Sequence, residues 1–403
     1  MSATVIIGFA ESLSAPEVTW SLINQGFKVA AFSRRGRRAS LKHSRFVRIF
    51  EVTPPEQDLA CTMRDLKAVI TRLSGEAPGQ LALMPLDDEA VWLCGGIDFN
   101  ERIIMAGPQG NTVDIALDKR KQVELARSAG FNVPWTRFVE RAQDALATEI
   151  EFPVVFKPSL AVAKIGPRLS RGRSWICCDR AELETAVTSW AGQGPMLLQQ
   201  FVHGVGEGLF GLATARGVIA WSGHRRLRMM NPHGSGASAC ASVTDLDHAS
   251  QTAGESFVVG CGWRDLFMIE LLRDYSGKLW FMEFNGRSWG SMALARRAGL
   301  EYPAWAVRLA LQPDAAIPIP RRRNGSLVCR HLGREMVHLL FVLRGPKSRA
   351  LTNWPSFWTT CANVLCIRKN ERWYNWRADD WRVFISDFFS TLRDQVFKSK
   401  DRI

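Results

Sequence analysis

Apolar residues fall in short runs separated by polar turns from the start of the chain. Val5-Ile-Ile-Gly8 reads as a buried strand. Pro16-Glu17 opens a helix through Leu22 to Gln25, closed by Gly26, and Lys28-Val-Ala-Ala-Phe32 reads as a second strand. A β-α-β start of this kind predicts a parallel sheet with ligand space at its carboxyl edge. It lacks a full Gly-x-Gly-x-x-Gly, so no dinucleotide site is proposed from it. Leu81-Ala-Leu-Met-Pro85 reads as a further strand, followed by Asp87-Asp88-Glu89. Between Asp118 and Ala129, Val123, Leu125, Ala126 and Ala129 keep helical spacing until Gly130 and Pro134 stop it. Residues 136–200 alternate short strands with an amphipathic helix at 181–190. Residues 197–285 read as an antiparallel sheet with turns at Gly217 and Gly277. A helix at 301–311 precedes the break at Pro313–Pro320.

The richest segment is Gly262–Ala298. Two apolar runs, Leu266–Leu272 and Lys278–Phe284, flank Arg273-Asp274-Tyr275-Ser276-Gly277, which predicts a β-hairpin. Glu270 sits on the first arm and Glu283 on the second. Asn285 shares a face with Glu283, because strand side chains alternate. A turn centred between Ser276 and Gly277 places Glu270 opposite Glu283. Like charges facing each other across a half-buried hairpin repel. A hard cation with oxygen ligands, Mg2+ with Mn2+ as the substitute, would relieve that conflict. Arg287 follows Asn285 by two and suits charge on a transferring phosphoryl group.

Other candidate groups are basic. Lys157 ends an apolar strand before Pro158, and Lys119 lies at the start of a helix; both positions suit phosphate. Arg225 and Arg226 begin a basic stretch followed by Gly234-Ser-Gly236, which suits a carboxylate or acyl phosphate. His203, His224, His233 and His248 have no metal spacing with cysteine. Ser12, Ser14 and Ser159 show no nucleophile elbow.

Composition narrows the class. The chain has 403 residues, 46% of them hydrophobic, enough for two or three domains with a sizeable core. No apolar run reaches the roughly 18–20 residues of a membrane helix. The first residues lack a basic leader, so no signal peptide is expected. Nine scattered cysteines without a Cys-x-x-Cys pair point to reduced thiols and a cytoplasmic setting. Residues 321–403 hold 17 Lys/Arg against 7 Asp/Glu, so +10 of the net +13 lies in the tail. That tail carries Trp354, Trp358, Trp373, Trp376 and Trp381. Trp381, Phe384, Ile385, Phe388, Phe389 and Leu392 share one helical face, which either packs on the core or touches an anionic membrane or a protein. The basic excess comes without an RNA or DNA motif, so no nucleic-acid partner is expected.

Glu283-Phe-Asn-Gly-Arg-Ser-Trp-Gly-Ser after a strand acid resembles the metal-binding strand pair of ATP-grasp ligases. Ala116-Leu-Asp-Lys119 with Ala129-Gly-Phe-Asn-Val-Pro134, Phe152-Pro-Val-Val-Phe-Lys157-Pro158, Leu197-Leu-Gln-Gln-Phe-Val-His-Gly204 and His224-Arg-Arg-Leu-Arg228 follow in that family's order, with the last resembling the carbamoyl-phosphate-synthase-like branch. The resemblance spans residues 1 to about 315. It implies an α/β plus α+β fold: a Rossmann-like domain at 1–108, a small ATP-grasp subdomain at 109–196 and a metal and substrate subdomain at 197–318. A basic, Trp-rich extension would occupy 319–403. It implies ATP held by Lys119, Lys157, Gln200, Phe201, Val202 and Glu207, and metal held by Glu270, Glu283 and Asn285. Residues 163–173 fall where the family has a Gly-rich loop; here the loop is Arg-rich, with Lys164, Arg168, Arg171 and Arg173. The implied reaction activates a carboxylate as an acyl phosphate and joins it to an amine, releasing ADP and phosphate. The alternatives are a bicarbonate-using carboxylase and a non-catalytic ATP-binding module that recruits a partner through its tail. A homodimer is a further expectation.

Overall fold

The structure is a computed structural model that describes residues 3–76, 79–190, 192, 194–232, 235–320, 325–351 and 353–398. The chain opens with β1 (Thr4–Gly8), α1 (Ala15–Asn24), β2 (Lys28–Arg34), β3 (Val47–Val52), α2 (Leu59–Glu76), β4 (Leu81–Pro85), α3 (Asp88–Cys94) and β5 (Ile103–Met105). The five strands are parallel, in the order β3-β2-β1-β4-β5. β1 and β4 are buried throughout because helices cover both faces of the sheet, the usual condition for parallel strands.

Next come α4 (Asn111–Leu117), α5 (Lys119–Ser128), β6 (Thr136–Val139), β7 (Val154–Pro158), β8 (Ala163–Ile165), β9 (Arg168–Ser170), β10 (Trp175–Cys177), α6 (Arg180–Ser189) and β11 (Met196–Gln200). A four-stranded sheet runs β10-β7-β11-β6, and β8 and β9 pair as a separate hairpin. Val139, Val154, Phe156, Met196 and Leu198 point from one face of this sheet into a core with Leu183 and Val187 of α6. Residues 197–200 were expected in the larger sheet and belong here instead. Their apolar-polar alternation fits either partner, and pairing with β7 and β6 decides it.

The largest sheet is built from β12 (Gly204–Thr214), β13 (Gly217–Asn231), β14 (Ser235–Ser242), β15 (Leu266–Asp274) and β16 (Leu279–Asn285), with α7 (His248–Gly260) packed on it. α7 interrupts the run that read as continuous sheet; Asp247 caps it by accepting from the Ser250 N–H. α8 (Met292–Arg297) and α9 (Tyr302–Leu311) follow. One core joins Val5, Ile7 and Leu22 of the parallel layer to Leu212, Leu266, Trp289 and Trp305.

The tail holds β17 (Val328–Arg330), α10 (Leu332–Arg344), α11 (Phe357–Leu365), β18 (Glu371–Trp373) and α12 (Trp381–Lys398). β17 and β18 extend the large sheet to the order β16-β15-β12-β13-β14-β17-β18. Basic residues are drawn inside with partners. Arg330 is buried against Glu335 (3.1 Å) and Glu371 (2.7 Å), and Arg228 of β13 reaches Glu335 at 2.7 Å. α12 lies across α10 and the short helix at Ser40–His43. Asp380 accepts from Trp20 Nε1 at 2.9 Å and Ser44 Oγ at 2.6 Å, tying the tail to the N-terminal layer. Of the expected apolar face of α12, Phe384 and Phe388 are half-buried. Trp381, Ile385 and Phe389 are exposed, and Val383 takes the fully buried place.

Glu335 offers a test of how the tail is attached. Glu335→Ala leaves two guanidiniums without their shared carboxylate, a change that costs roughly 3–5 kcal/mol when a buried pair is broken. Urea unfolding should show that loss; a variant as stable as the wild type would contradict the account.

Candidate active site

The β15–β16 hairpin is set by its turn. The Asp274 carboxylate accepts from the Ser276 and Lys278 N–H groups, and Gly277 adopts φ +90°, which favours glycine. Next to the turn, which centres on Ser276, Leu271 lies opposite Phe281; a β-bulge between Glu270 and Leu271 then shifts the register by one and puts Glu270 opposite Glu283 and Asn285 opposite Met268. Each carboxylate meets a cation from another element. Arg226 Nη2 lies 2.7 Å from Glu270, and Lys119 Nζ lies 3.4 Å from Glu283. Burial would raise the Glu283 carboxyl, but Lys119 and Lys157 outweigh it and hold it below its ordinary value. Burial likewise opposes the charge on Arg226, and Glu270 outweighs it.

Lys119 is placed by α5. The Asp118 side chain caps this helix, and the buried Gln122 amide both donates to the Phe284 carbonyl (3.0 Å) and accepts from its N–H (3.1 Å). A helix thus docks on the strand that carries Glu283. Lys157 approaches from β7 on the four-stranded sheet and donates to Gln199 Oε1 at 3.1 Å. Burial, with Lys119 nearby, lowers the Lys157 ammonium to about 8.

The remaining nucleotide candidates divide by strand parity. Lys157 pairs with Leu197, so Leu197 and Gln199 share its face while Gln200 projects from the other and is exposed. Gln199, grouped with Gln200 in the expected adenine slot but not given the side-chain role, is the glutamine beside Lys157. The Phe201 N–H donates to the Pro153 carbonyl, and Phe201 and Val202 are half-buried in the link to β12. Glu207 is buried and its carboxylate is shared by Arg225 (2.8 Å) and Arg273 (3.0 Å). Because neighbours on a strand face opposite ways, Arg225 and Glu207 lie on the sheet face away from Arg226 and Glu270. His233 and Gly234 lie outside the described residues.

Beside the acid pair opens a cavity of about 1380 Å3, lined by Glu270, Asn285, Arg226 and Arg287 and by residues of the parallel layer and the tail. Arg287 Nε reaches Asp88 at 2.6 Å, and Asp88 also pairs with Arg171 beyond β9. Burial works against the Asp88 charge, but Arg287 and Arg171 outweigh it and hold the carboxyl far below the usual range. The Arg-rich segment 163–173 forms a hairpin that lines the cavity. Leu169 is buried, and its N–H donates to the Pro55 carbonyl. The sequence signal for Asp88 was an acid run at the carboxyl end of a parallel strand. His224 was also missed as a site group. Its Nδ1 lies 2.6 Å from Ser291 Oγ, and burial, then Arg226, keep the ring neutral.

No protein-family model and no curated protein matches the sequence. Solved structures do match. An L-amino acid ligase from Bacillus licheniformis superposes with a TM-score of 0.56 at 18% identity, covering 77% of this chain and 74% of that one. The biotin carboxylase domain of Hydrogenobacter thermophilus 2-oxoglutarate carboxylase, solved with MgADP and bicarbonate, gives 0.59 at 18%, covering 81% and 73%. N5-carboxyaminoimidazole ribonucleotide synthetase from Thermotoga maritima gives 0.54 at 17%, covering 81% and 80%. The chain has the ATP-grasp fold. On that fold the opposed acids, Asn285, Lys119 and Lys157 converge from three separate elements.

Among the described residues, no group of three or more His, Cys, Asp or Glu side chains is placed to hold a metal. Glu270, Glu283 and Asn285 offer oxygen donors on one face. That set fits Mg2+, which takes one or two carboxylates and draws its other ligands from water and phosphate.

Lys157 generates a pH test. Its folded value near 8 lies below the ordinary 10.5, so the unfolded chain binds that proton more tightly. Between about pH 8 and 10.5 the unfolded state carries more protons, and stability rises with pH. Ligand-free wild type should gain roughly 1–3 kcal/mol from Lys157 across that window, and Lys157→Met should lack the gain. Denaturant unfolding at pH 7.5 and 9.5 measures it; equal pH slopes for both proteins would refute the assignment.

Proposed function

We propose that this chain is an ATP- and Mg2+-dependent ligase that activates a carboxylate as an acyl phosphate and joins it to an amine, releasing ADP and phosphate. One observation carries the reading: Glu270 and Glu283 face each other, with Lys119 and Lys157 converging beside them, at the edge of a large cavity that holds Arg226 and Arg287. This is an arrangement for a polyphosphate and a second, anionic substrate. The division into 1–108, 109–196, 197–318 and 319–403 belongs to the same proposal, with the first part a Rossmann-like layer whose carboxyl edge borders the cavity.

Lys157 and Lys119 neutralise phosphate oxygens, and Gln199 holds Lys157 in place. Glu270, Glu283 and Asn285 hold Mg2+, which when bound offsets the charge that develops on the phosphoryl group. A substrate carboxylate oxygen bonds to the γ-phosphorus as the bond from that phosphorus to the β,γ-bridging oxygen breaks, and ADP leaves. The amine nitrogen then bonds to the acyl carbon, phosphate departs, and the amine gives up a proton. Arg287 and Arg226 face this region and stabilise the anionic groups in transit. The chain's contribution is positioning and charge neutralisation, as for phosphoryl transfer generally. Arg225 and Glu207 stand outside this set, since they bind each other across the opposite face. A cavity of about 1380 Å3 favours an organic carboxylate over bicarbonate as the first substrate.

Two measurements test the reading. Product analysis should find ADP and phosphate, and hydroxylamine should trap an acyl hydroxamate; AMP and pyrophosphate would place attack at the wrong phosphorus. Glu283→Gln keeps the shape and removes the charge. It should lower turnover by about 100-fold or more, within the several kcal/mol that electrostatic stabilisation supplies. Because Lys119 and Lys157 stabilise the Glu283 charge, the variant should lose some apo stability, so turnover is compared at a temperature where both proteins are folded. Full turnover of this variant at low Mg2+ would end the assignment.

A further inference from the structure

The cavity does not end at the acid pair. Its far wall is made by the tail, with Arg334 on α10 and Asp387, Thr391, Arg393 and Asp394 on α12. Arg37 and Arg38, in the turn after β2, line the same cavity. Three arginines of the cavity can be compared. Arg226 has Glu270 at 2.7 Å and Arg287 has Asp88 at 2.6 Å. Arg334 has no carboxylate within ion-pair distance among the described residues; its Nη1 donates to the Ala237 carbonyl at 3.2 Å. Asp387, the nearest acid by its influence, is already engaged by His331 Nε2 at 2.8 Å and Asn375 Nδ2 at 2.9 Å. The electrostatics follow. Carboxylates outweigh burial for Arg226 and Arg287 and raise them, whereas burial wins at Arg334 and lowers it.

Space is reserved for this guanidinium. A Cβ added at Gly236 would stand 2.8 Å from Arg334 Nη1, so a side chain there would push the arginine aside. Arg37 and Arg38 line the cavity with Arg334, and Asp387 and Asp394 are its lining acids from the tail. Arg334, Arg226 and the buried Cys240 line the same cavity. A half-buried cation with no carboxylate at ion-pair distance, its nearest acid engaged elsewhere, is stabilised by an incoming anion.

We propose that Arg334 receives a second anionic group of the substrate, a carboxylate or phosphate distinct from the carboxylate that is activated, so that the tail selects substrates bearing at least two anionic groups. This rests on the ligase reading of the same cavity. It makes the tail a wall of the substrate site, with Arg334 as a specificity-determining residue.

The test uses the full chain saturated with Mg2+ and a non-hydrolysable ATP analogue. Binding of acetate, succinate, glutarate, citrate and inorganic phosphate is measured by calorimetry for wild type, Arg334→Gln and Arg334→Lys. Wild type should bind at least one of the polyanionic acids or phosphate 10-fold or more tightly than acetate. Arg334→Gln should lose most of that preference with the analogue's affinity unchanged, and Arg334→Lys should restore part. The carboxylate and phosphate arms show which anion the subsite takes. Equal preference in wild type and Arg334→Gln, or no preference in wild type, overturns the proposal. Failure of the ATP analogue to bind wild type would instead overturn the ligase reading, and the two failures are separable in one experiment.

Discussion

The structure turns on two carboxylates forced to face each other. The hairpin register leaves Glu270 and Glu283 no other arrangement, and like charges at that spacing repel. The conflict is relieved only by cations from elsewhere in the chain. Arg226 comes from β13, Lys119 from the start of α5 and Lys157 from the four-stranded sheet. The acid pair therefore draws three elements to one point. The Gln122 amide, bonded both ways to the Phe284 backbone, shows how closely α5 must dock for Lys119 to reach.

The same logic extends outward. Asp88, from the parallel layer, is shared by Arg287 after β16 and Arg171 after β9, so one half-buried carboxylate links the β8–β9 hairpin and the large sheet to the parallel layer. The tail is fastened by Glu335 between Arg228 and Arg330, and by Asp380 between Trp20 and Ser44. Some of the charges that look like a solvated basic excess in the sequence, Arg330 above all, are structural ion pairs. Buried pairs of this kind are a poor source of net stability but a strong constraint on geometry. That constraint is what a site built from three sheets requires.

How far the sequence could be read depended on whether a local rule fixed the answer. The turn chemistry of Asp274 and Gly277 made the hairpin legible, but a turn centred on Ser276 would set Glu270 beside Met282, and the expected Glu270–Glu283 pairing is reached through a β-bulge that no local signal announced. The parallel order β3-β2-β1-β4-β5 followed from the opening β-α-β pattern only in kind, not in strand order. Parity was the main loss. Gln199 and Gln200 are adjacent and chemically identical, and only packing against α6 decides which one faces Lys157. Arg225 and Arg226 posed the same ambiguity, settled by Glu207 on one face and Glu270 on the other. In the tail, a six-residue apolar face split, because Val383 and the Asp387 contacts to His331 and Asn375 set the rotation of α12.

The central claim is that the opposed carboxylates hold a metal together with nucleotide phosphates. Electron paramagnetic resonance of Mn2+, titrated into the protein with a non-hydrolysable ATP analogue, reads that coordination without turnover. The account predicts an immobilised, protein-bound Mn2+ signal that needs both the analogue and the acid pair, and that disappears in the Glu270→Gln, Glu283→Gln double variant while the analogue still binds. An unchanged bound signal in that variant would contradict it.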